Sequence, residues 1–288
     1  MEHDGLIAVL GATGRQGGAV TRHLLAAGWR VRALTRKLDS PAGEALRATG
    51  AEVAGCDMAD PDSLLRVFEG AYGVYSVQNP MIAGHDGEVR QGKNVADAAK
   101  AAAVQHVVYG SAGPGLRGTG VDSWESKLII ADYLRELGVP LTVLRPTAFM
   151  ELMTDRDFYP PVAVWGLMPK LAGEQTPVPW LAVDDLGAIA ARAFAEPSEF
   201  VGTELGLAAE FRSIAELRQA WTAATGRPPR GFPMPVWLFE RFVGKDLTTM
   251  WRWLAANPVT ADPADTVKLL GLVTTVGQFL ERRQAGDR

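Results

Sequence analysis

The residues with the clearest chemical consequence are the seven of the loop Gly11-Ala12-Thr13-Gly14-Arg15-Gln16-Gly17. They follow the apolar run Leu6-Ile7-Ala8-Val9-Leu10 and open a helical pattern, the context in which a three-glycine loop cradles the pyrophosphate of a dinucleotide. Gly11 permits a tight turn, Gly14 lets the backbone approach the phosphates, and Gly17 lets the helix pack against the strand. The helix start then turns N–H groups and the positive end of its dipole toward the anion. About 20 residues further on, NAD sites place a carboxylate for the ribose 2′-hydroxyl. This chain has Thr35-Arg36-Lys37 there, and Arg36 could grip a 2′-phosphate with its planar fork. A solvated basic turn beside Asp39 has the same composition; the position favours NADP(H).

Such a loop works only where a parallel sheet positions it. Short apolar runs alternate with helical patterns through the first half, predicting an α/β, doubly wound parallel (Rossmann) sheet. The strands are Leu6–Leu10, Val31–Leu34, Glu52–Ala54, Tyr72–Val77, His106–Tyr109 and Leu141–Leu144. Between them fall helices over Gly17–Ala27, from Ser40-Pro41, from Asp60-Pro61, over Gly87–Ala103 and over Ser123–Leu137. After Pro146 the rhythm changes. Five prolines and two glycines between Pro160 and Pro179 read as loops and short pieces. Helices over Asp184–Ala195, Ser213–Thr225, Trp237–Val243, Leu247–Ala256 and Thr275–Arg283, with a strand over Glu204–Ala208, complete a smaller mixed α/β lobe. The expected division is a cofactor domain over 1–150 and a substrate or partner lobe over 151–288, with part of the chain returning to the sheet.

Composition narrows the function classes. A net charge of −4 over 288 residues provides no basic stripe for nucleic acid or an anionic membrane. The acidic start and short first apolar run read as neither signal peptide nor membrane span. Cys56 is the only cysteine and the four histidines lack metal-ligand spacing, so no metal is expected, and a cytoplasmic setting fits.

Four segments, GATGRQGG (11–18), GAEVAGCDMAD (50–60), EVRQGKNVADAAK (88–100) and GVPLTVLRPTAFMEL (138–152), together resemble the NmrA-like group of atypical short-chain dehydrogenases. The likeness continues through VPWLAVDDLG (178–187) and FVGTELGLA (200–208). The resemblance implies an NADP(H)-binding fold in which some members are enzymes and others sense the NADPH/NADP⁺ ratio and bind protein partners. It assigns the pyrophosphate to Gly11 through Gly17, the 2′-phosphate to Arg36 and the adenine to Asp57 and Met58. Val77, Gln78 and Asn79 would line the ribose and nicotinamide, Arg90 would reach the cofactor, and Pro146, Thr147, Ala148 and Phe149 would pass beside the nicotinamide.

The same resemblance brings a catalytic expectation with a gap in it. Short-chain dehydrogenases use Tyr-x-x-x-Lys on one helix face with a serine at the preceding strand's end. Here Ser111 and Lys127 match, but Ser123 stands where the tyrosine belongs. Serine is a much weaker acid and too short to take over as proton donor. Two readings remain: a reductase whose proton comes from Lys127, water or a substrate hydroxyl, or a sensor that binds NADP(H) and a regulatory protein. Trp124, Phe149, Met150, Met153, Phe158, Tyr159 and Trp165 would suit a pocket for a flat hydrophobic, aromatic or polyketide-like carbonyl compound, or else simply pack the lobe. Trp180, Trp221, Trp237, Trp251 and Trp253 are expected in the core or at a lobe interface.

Overall fold

The computed structural model describes residues 3–155, 163–231, 233–257 and 261–286. Strands β1 (His3–Val9), β2 (Trp29–Thr35), β3 (Glu52–Gly55), β4 (Gly73–Ser76), β5 (His106–Gly110) and β6 (Leu141–Pro146) form a sheet. Further along the chain come β7 (Ala148–Phe149), β8 (Val178–Leu181), β9 (Glu204–Leu207) and β10 (Glu210–Arg212). The seven-stranded sheet has the order β3-β2-β1-β4-β5-β6-β9, and β10-β8-β7 make a second, three-stranded sheet. The predicted doubly wound parallel sheet is therefore formed, and a small mixed sheet accompanies it.

Helices α1 (Arg15–Ala26), α2 (Pro41–Ala48), α3 (Pro61–Phe68), α4 (Pro80–Ala101) and α5 (Asp122–Glu136) connect the first six strands. Ser40 and Asp60 cap α2 and α3 through their side chains, each with proline at the first helical position. The strands bury side chains in alternation. Ala8, Val74 and Val107 join Phe68 of α3, Val95 of α4 and Ile130 of α5 in one core. On the other face Phe194 packs edge-on against His106, with ring centroids 5.3 Å apart. Val9 is in register with Ala33 of β2 and with Tyr75 of β4, so the chain leaves β1 toward one neighbour and returns on the other side. That reversal opens a crevice at the carboxyl ends of β1 and β4, where sheets of this kind bind ligands.

The remaining helices are α6 (Met168–Leu171), α7 (Val183–Ala195), α8 (Pro197–Phe200), α9 (Ile214–Thr225), α10 (Val236–Val243), α11 (Asp246–Ala256), α12 (Pro263–Leu270) and α13 (Val276–Gly286). By contacts the chain forms two compact units, Met1–Gly115 with Ser123–Arg145 and Leu186–Leu205, and Leu116–Asp122 with Pro146–Asp185 and Gly206–Arg288. In the second unit Trp180 is fully buried on β8 and its indole N–H donates to the Arg212 carbonyl at 3.0 Å.

Three local expectations need correction. Helix α4 begins at Pro80, not Gly87, capped by Asn79 and broken at Gly84 (φ 70°, ψ 170°). Met81 and Ile82 in that first turn are exposed, so it carries no apolar period to read. The proline-rich stretch hides β8, whose Pro179 lies opposite Phe211 of β10 at a position that β7 does not reach. Trp237 is 69% exposed and belongs to no core, while Trp251 is buried as expected. No helix among the described residues is long and apolar enough to cross a membrane.

Candidate functional site

The glycine loop leaves β1 at Leu10, whose N–H donates to the Tyr75 carbonyl at 3.0 Å. Gly11 adopts φ +63°, a conformation open to glycine at little cost. Gly14 is the N-cap of α1 in extended conformation, and no side chain caps the helix or places acidic charge in its first turn. A Cβ on Gly17 would collide with the Gly11 carbonyl and stand 2.7 Å from the Leu10 oxygen. The loop thus packs against its strand and presents backbone alone at the helix start, an arrangement that suits an anion. Thr13 is exposed, Ala12 is buried, and Arg15 and Gln16 begin the helix.

Gln16 is tied to the next strand. The buried Tyr75 hydroxyl donates to Gln16 Oε1 at 3.0 Å. A side chain at Gly110 on β5 would stand 2.7 Å from that hydroxyl, so glycine makes room for the pair.

At the carboxyl ends of β2 and β3 lies an open cavity of about 620 Å³ whose lining includes Arg36, Lys37, Asp39, Ser40, Cys56 and Asp57. Arg36 and Lys37 are exposed, and neither forms an ion pair among the described residues. Asp57 accepts from the Ala59 N–H at 2.9 Å and its own N–H donates to Ser63 Oγ at 3.2 Å. The Met58 carbonyl accepts from Asn94 at 3.0 Å. Burial pushes the Cys56 thiol up to about 11, so it lines the cavity as a neutral group.

The carboxyl end of β4 is more enclosed. Val77 is half-buried beside Gly11, and Asn79 spends its side chain on capping α4. Gln78 is 3% exposed; its amide donates to Ser76 Oγ at 2.9 Å while its Oε1 has no partner. The Gln78 carbonyl accepts from Lys127 Nζ at 3.3 Å. Lys127, on α5, is buried, and its ammonium stands 2.7 Å from Oε1 of Glu88 on α4, which is fully buried. The other Glu88 oxygen accepts from Ser126 Oγ at 2.5 Å. At the end of β5, Ser111 Oγ and the Tyr109 hydroxyl are buried without partners. Burial and the Glu88 carboxylate hold the Tyr109 phenol well above its ordinary range, which keeps it neutral.

Ser123 sits half-buried in the first turn of α5, one helical turn before Lys127, and its carbonyl accepts from Ser126 Oγ at 3.3 Å. Arg90 is exposed on α4 and lines a separate hollow of about 480 Å³ with His85, Lys93 and Asn94. Pro146 ends β6, Thr147 Oγ1 donates to the Leu207 carbonyl at 2.9 Å, and Ala148 and Phe149 form β7. The aromatic and methionine side chains considered as pocket lining are largely packing groups. Trp124, Phe149, Met150, Met153 and Trp165 are each no more than 8% exposed. Trp165 stacks edge-on with Trp221 at 5.4 Å. Phe158 and Tyr159 lie outside the described residues.

Glu88 and Ser126 were missed in the sequence, and a signal for Glu88 was present. It shares the face of α4 that carries Gly92, Val95, Ala96 and Ala99, all buried. A lone carboxylate on an apolar stripe needs a buried partner, and Lys127 occupies the matching position on the buried face of α5.

The comparisons agree with this architecture. The NmrA-like family model matches residues 3–280. An NmrA-like family domain-containing oxidoreductase of Cladobotryum sp, FrzB, is 31% identical over 302 residues, covering 91% of this chain and 90% of that protein. The Citrobacter sp. triphenylmethane reductase complexed with NADP(H) superposes with a TM-score of 0.78 at 19% identity, over 96% of this chain and 99% of that one. NmrA, a negative transcriptional regulator solved in complex with NAD, gives a TM-score of 0.78 at 21% identity, covering 99% and 98% of the two chains. The chain belongs to the NmrA-like family.

Proposed function

We propose that this protein binds NADP(H) and is an NADPH-dependent reductase of a carbonyl compound. The single observation that carries the reading is the set of buried polar groups past the ends of β4 and β5: Lys127, bonded to the Gln78 carbonyl, and the unpartnered Gln78 Oε1 and Ser111 Oγ. Buried polar atoms without partners are costly unless a ligand completes them. The cofactor fits at the other end too. The α1 start has no side-chain cap, and Arg36 and Lys37, without an ion pair among the described residues, border a cavity large enough for an adenosine. Support also comes from relatives named as oxidoreductases and a neighbour complexed with NADP(H).

In this reading Gly11 through Gly17 hold the pyrophosphate, Arg36 the 2′-phosphate, and Asp57 and Met58 flank the adenine. Val77, Gln78, Asn79 and Lys127 border the ribose and nicotinamide, whereas Arg90 faces a separate hollow and takes no part. When bound, NADPH supplies a hydride to an electron-poor carbon. Ser111 donates a hydrogen bond to the substrate oxygen, stabilising the negative charge that grows there as the C=O bond is reduced. Ser123 cannot donate the proton as a tyrosine would, so water or a substrate hydroxyl delivers it and the alcohol leaves.

The test is a turnover screen of purified protein with NADPH deuterated at nicotinamide C4, against aromatic ketones, quinones and enones. Loss of NADPH matched by deuterium in the reduced product is expected. Tight NADPH binding with no oxidation across the panel would contradict the reductase. It would favour a sensor of cofactor redox state, the reading to which Ser123 and the regulator neighbour lend support.

A further inference from the structure

Lys127 is the one member of the Tyr-x-x-x-Lys pattern kept in this chain, and its surroundings are unlike those of a mobile surface lysine. It is 6% exposed and two of its three N–H bonds are taken, one by Glu88 Oε1 at 2.7 Å and one by the Gln78 carbonyl at 3.3 Å. Both Glu88 oxygens are in turn engaged, because Ser126 Oγ donates to the second at 2.5 Å. We propose that Glu88 is a positioning residue that holds Lys127 as a fixed ammonium ion, leaving one N–H for the ligand at the end of β4 and making the lysine a binding cation and not the proton donor.

A buried ammonium with no counter-charge tends to lose its proton, whereas a carboxylate in contact stabilises the charged form. The carbonyl of Gln78, just past the end of β4, fixes direction without charge. From β5 the neutral Tyr109 phenol faces Glu88, and from α5 Ser126 Oγ donates to its second oxygen. Glu88 is therefore the only negative charge among the described residues in hydrogen-bond contact with Lys127. A proton shared with so near a carboxylate is poorly placed for transfer to a substrate. This inference rests on the proposed cofactor reading for its ligand, but not for the state of the lysine.

The experiment compares NADPH affinity from about pH 7 to about pH 9 in the unsubstituted protein, in Glu88→Gln and in Lys127→Met. The amide of Glu88→Gln keeps the shape and the hydrogen-bond acceptor but removes the charge. The expected result is a flat profile for the unsubstituted protein and for Lys127→Met, the latter weaker throughout. For Glu88→Gln, affinity should fall by roughly tenfold as pH rises, the size expected when a buried cation loses its partner. A Glu88→Gln profile parallel to that of the unsubstituted protein would overturn the proposal, since a structural role alone would not add pH dependence. A second measurement needs no cofactor. In ¹⁵N-lysine-labelled protein without ligand, Lys127 should give a protected ammonium signal at neutral pH, assigned by its loss in Lys127→Arg. A missing signal overturns the proposal. Failure of the unsubstituted protein to bind NADPH would remove the cofactor reading, while this signal, compared with that of Glu88→Gln, still decides whether Glu88 holds the ammonium.

Discussion

The two ends of the proposed site handle positive charge in opposite ways. At the ends of β2 and β3, Arg36 and Lys37 stand in solvent with no ion pair among the described residues, on the rim of a broad cavity. At the end of β4, Lys127 is buried and its charge is met by Glu88. An exposed cation keeps its hydration and needs no internal partner, so it is available to a doubly charged phosphate. A buried cation without a carboxylate would cost several kcal/mol, on the order of 3–5 when one partner of a buried pair is removed. In the proposed reading the first arrangement would select a ligand by charge, and the second would build a fixed charge into the wall of the site.

His106 sharpens the contrast with the largest expected effect. It is fully buried, with Nε2 placed 2.8 Å from Thr142 Oγ1 and no carboxylate beside it. Burial lowers its pKa from 6.5 to about 4, so it stays neutral, whereas Lys127 is met by a carboxylate. Between those values the unfolded chain takes up a proton that the folded chain refuses, so stability falls as pH falls through the window. The His106 share of the loss should be about 2 kcal/mol, read as the difference between the unsubstituted protein and His106→Leu in urea unfolding at pH 7 and near pH 4.5. His106→Leu should show a shallower pH slope than the unsubstituted protein. An unchanged slope would break the rule that buried groups here are either paired or neutral.

Ser123 carries the smallest expected effect. Ser123→Ala should keep turnover within about threefold, as for a side chain with no part in proton transfer. A loss of about a thousandfold in kcat would assign it the proton donor's place after all.

What was legible in the sequence was local. The glycine loop, the basic Thr35-Arg36-Lys37 turn and the Ser40-Pro41 and Asp60-Pro61 helix starts each declare themselves within a few residues, because their physics is backbone conformation and capping. The same capping signal at Asp262-Pro263 opens α12, yet no helix was expected there. The site's enclosed half was not legible in the same way. Glu88 and Lys127 are 39 residues apart, on different helices, and only the packing of α4 on α5 brings them together. The aromatic residues near Phe149 invited a pocket, but type alone does not separate a lining side chain from a packed one. Burial of Trp124, Met150 and Trp165 decides for packing.

The central claim is that the site is built for the 2′-phosphate of NADP(H). Equilibrium titration with NADPH and NADH, followed by tryptophan fluorescence, tests it most directly. NADPH should bind at least about tenfold tighter, the worth of one charge-assisted contact of about 1.5–3 kcal/mol, and Arg36→Ala should erase that preference by weakening NADPH alone. Equal or tighter binding of NADH by the unsubstituted protein would contradict the account.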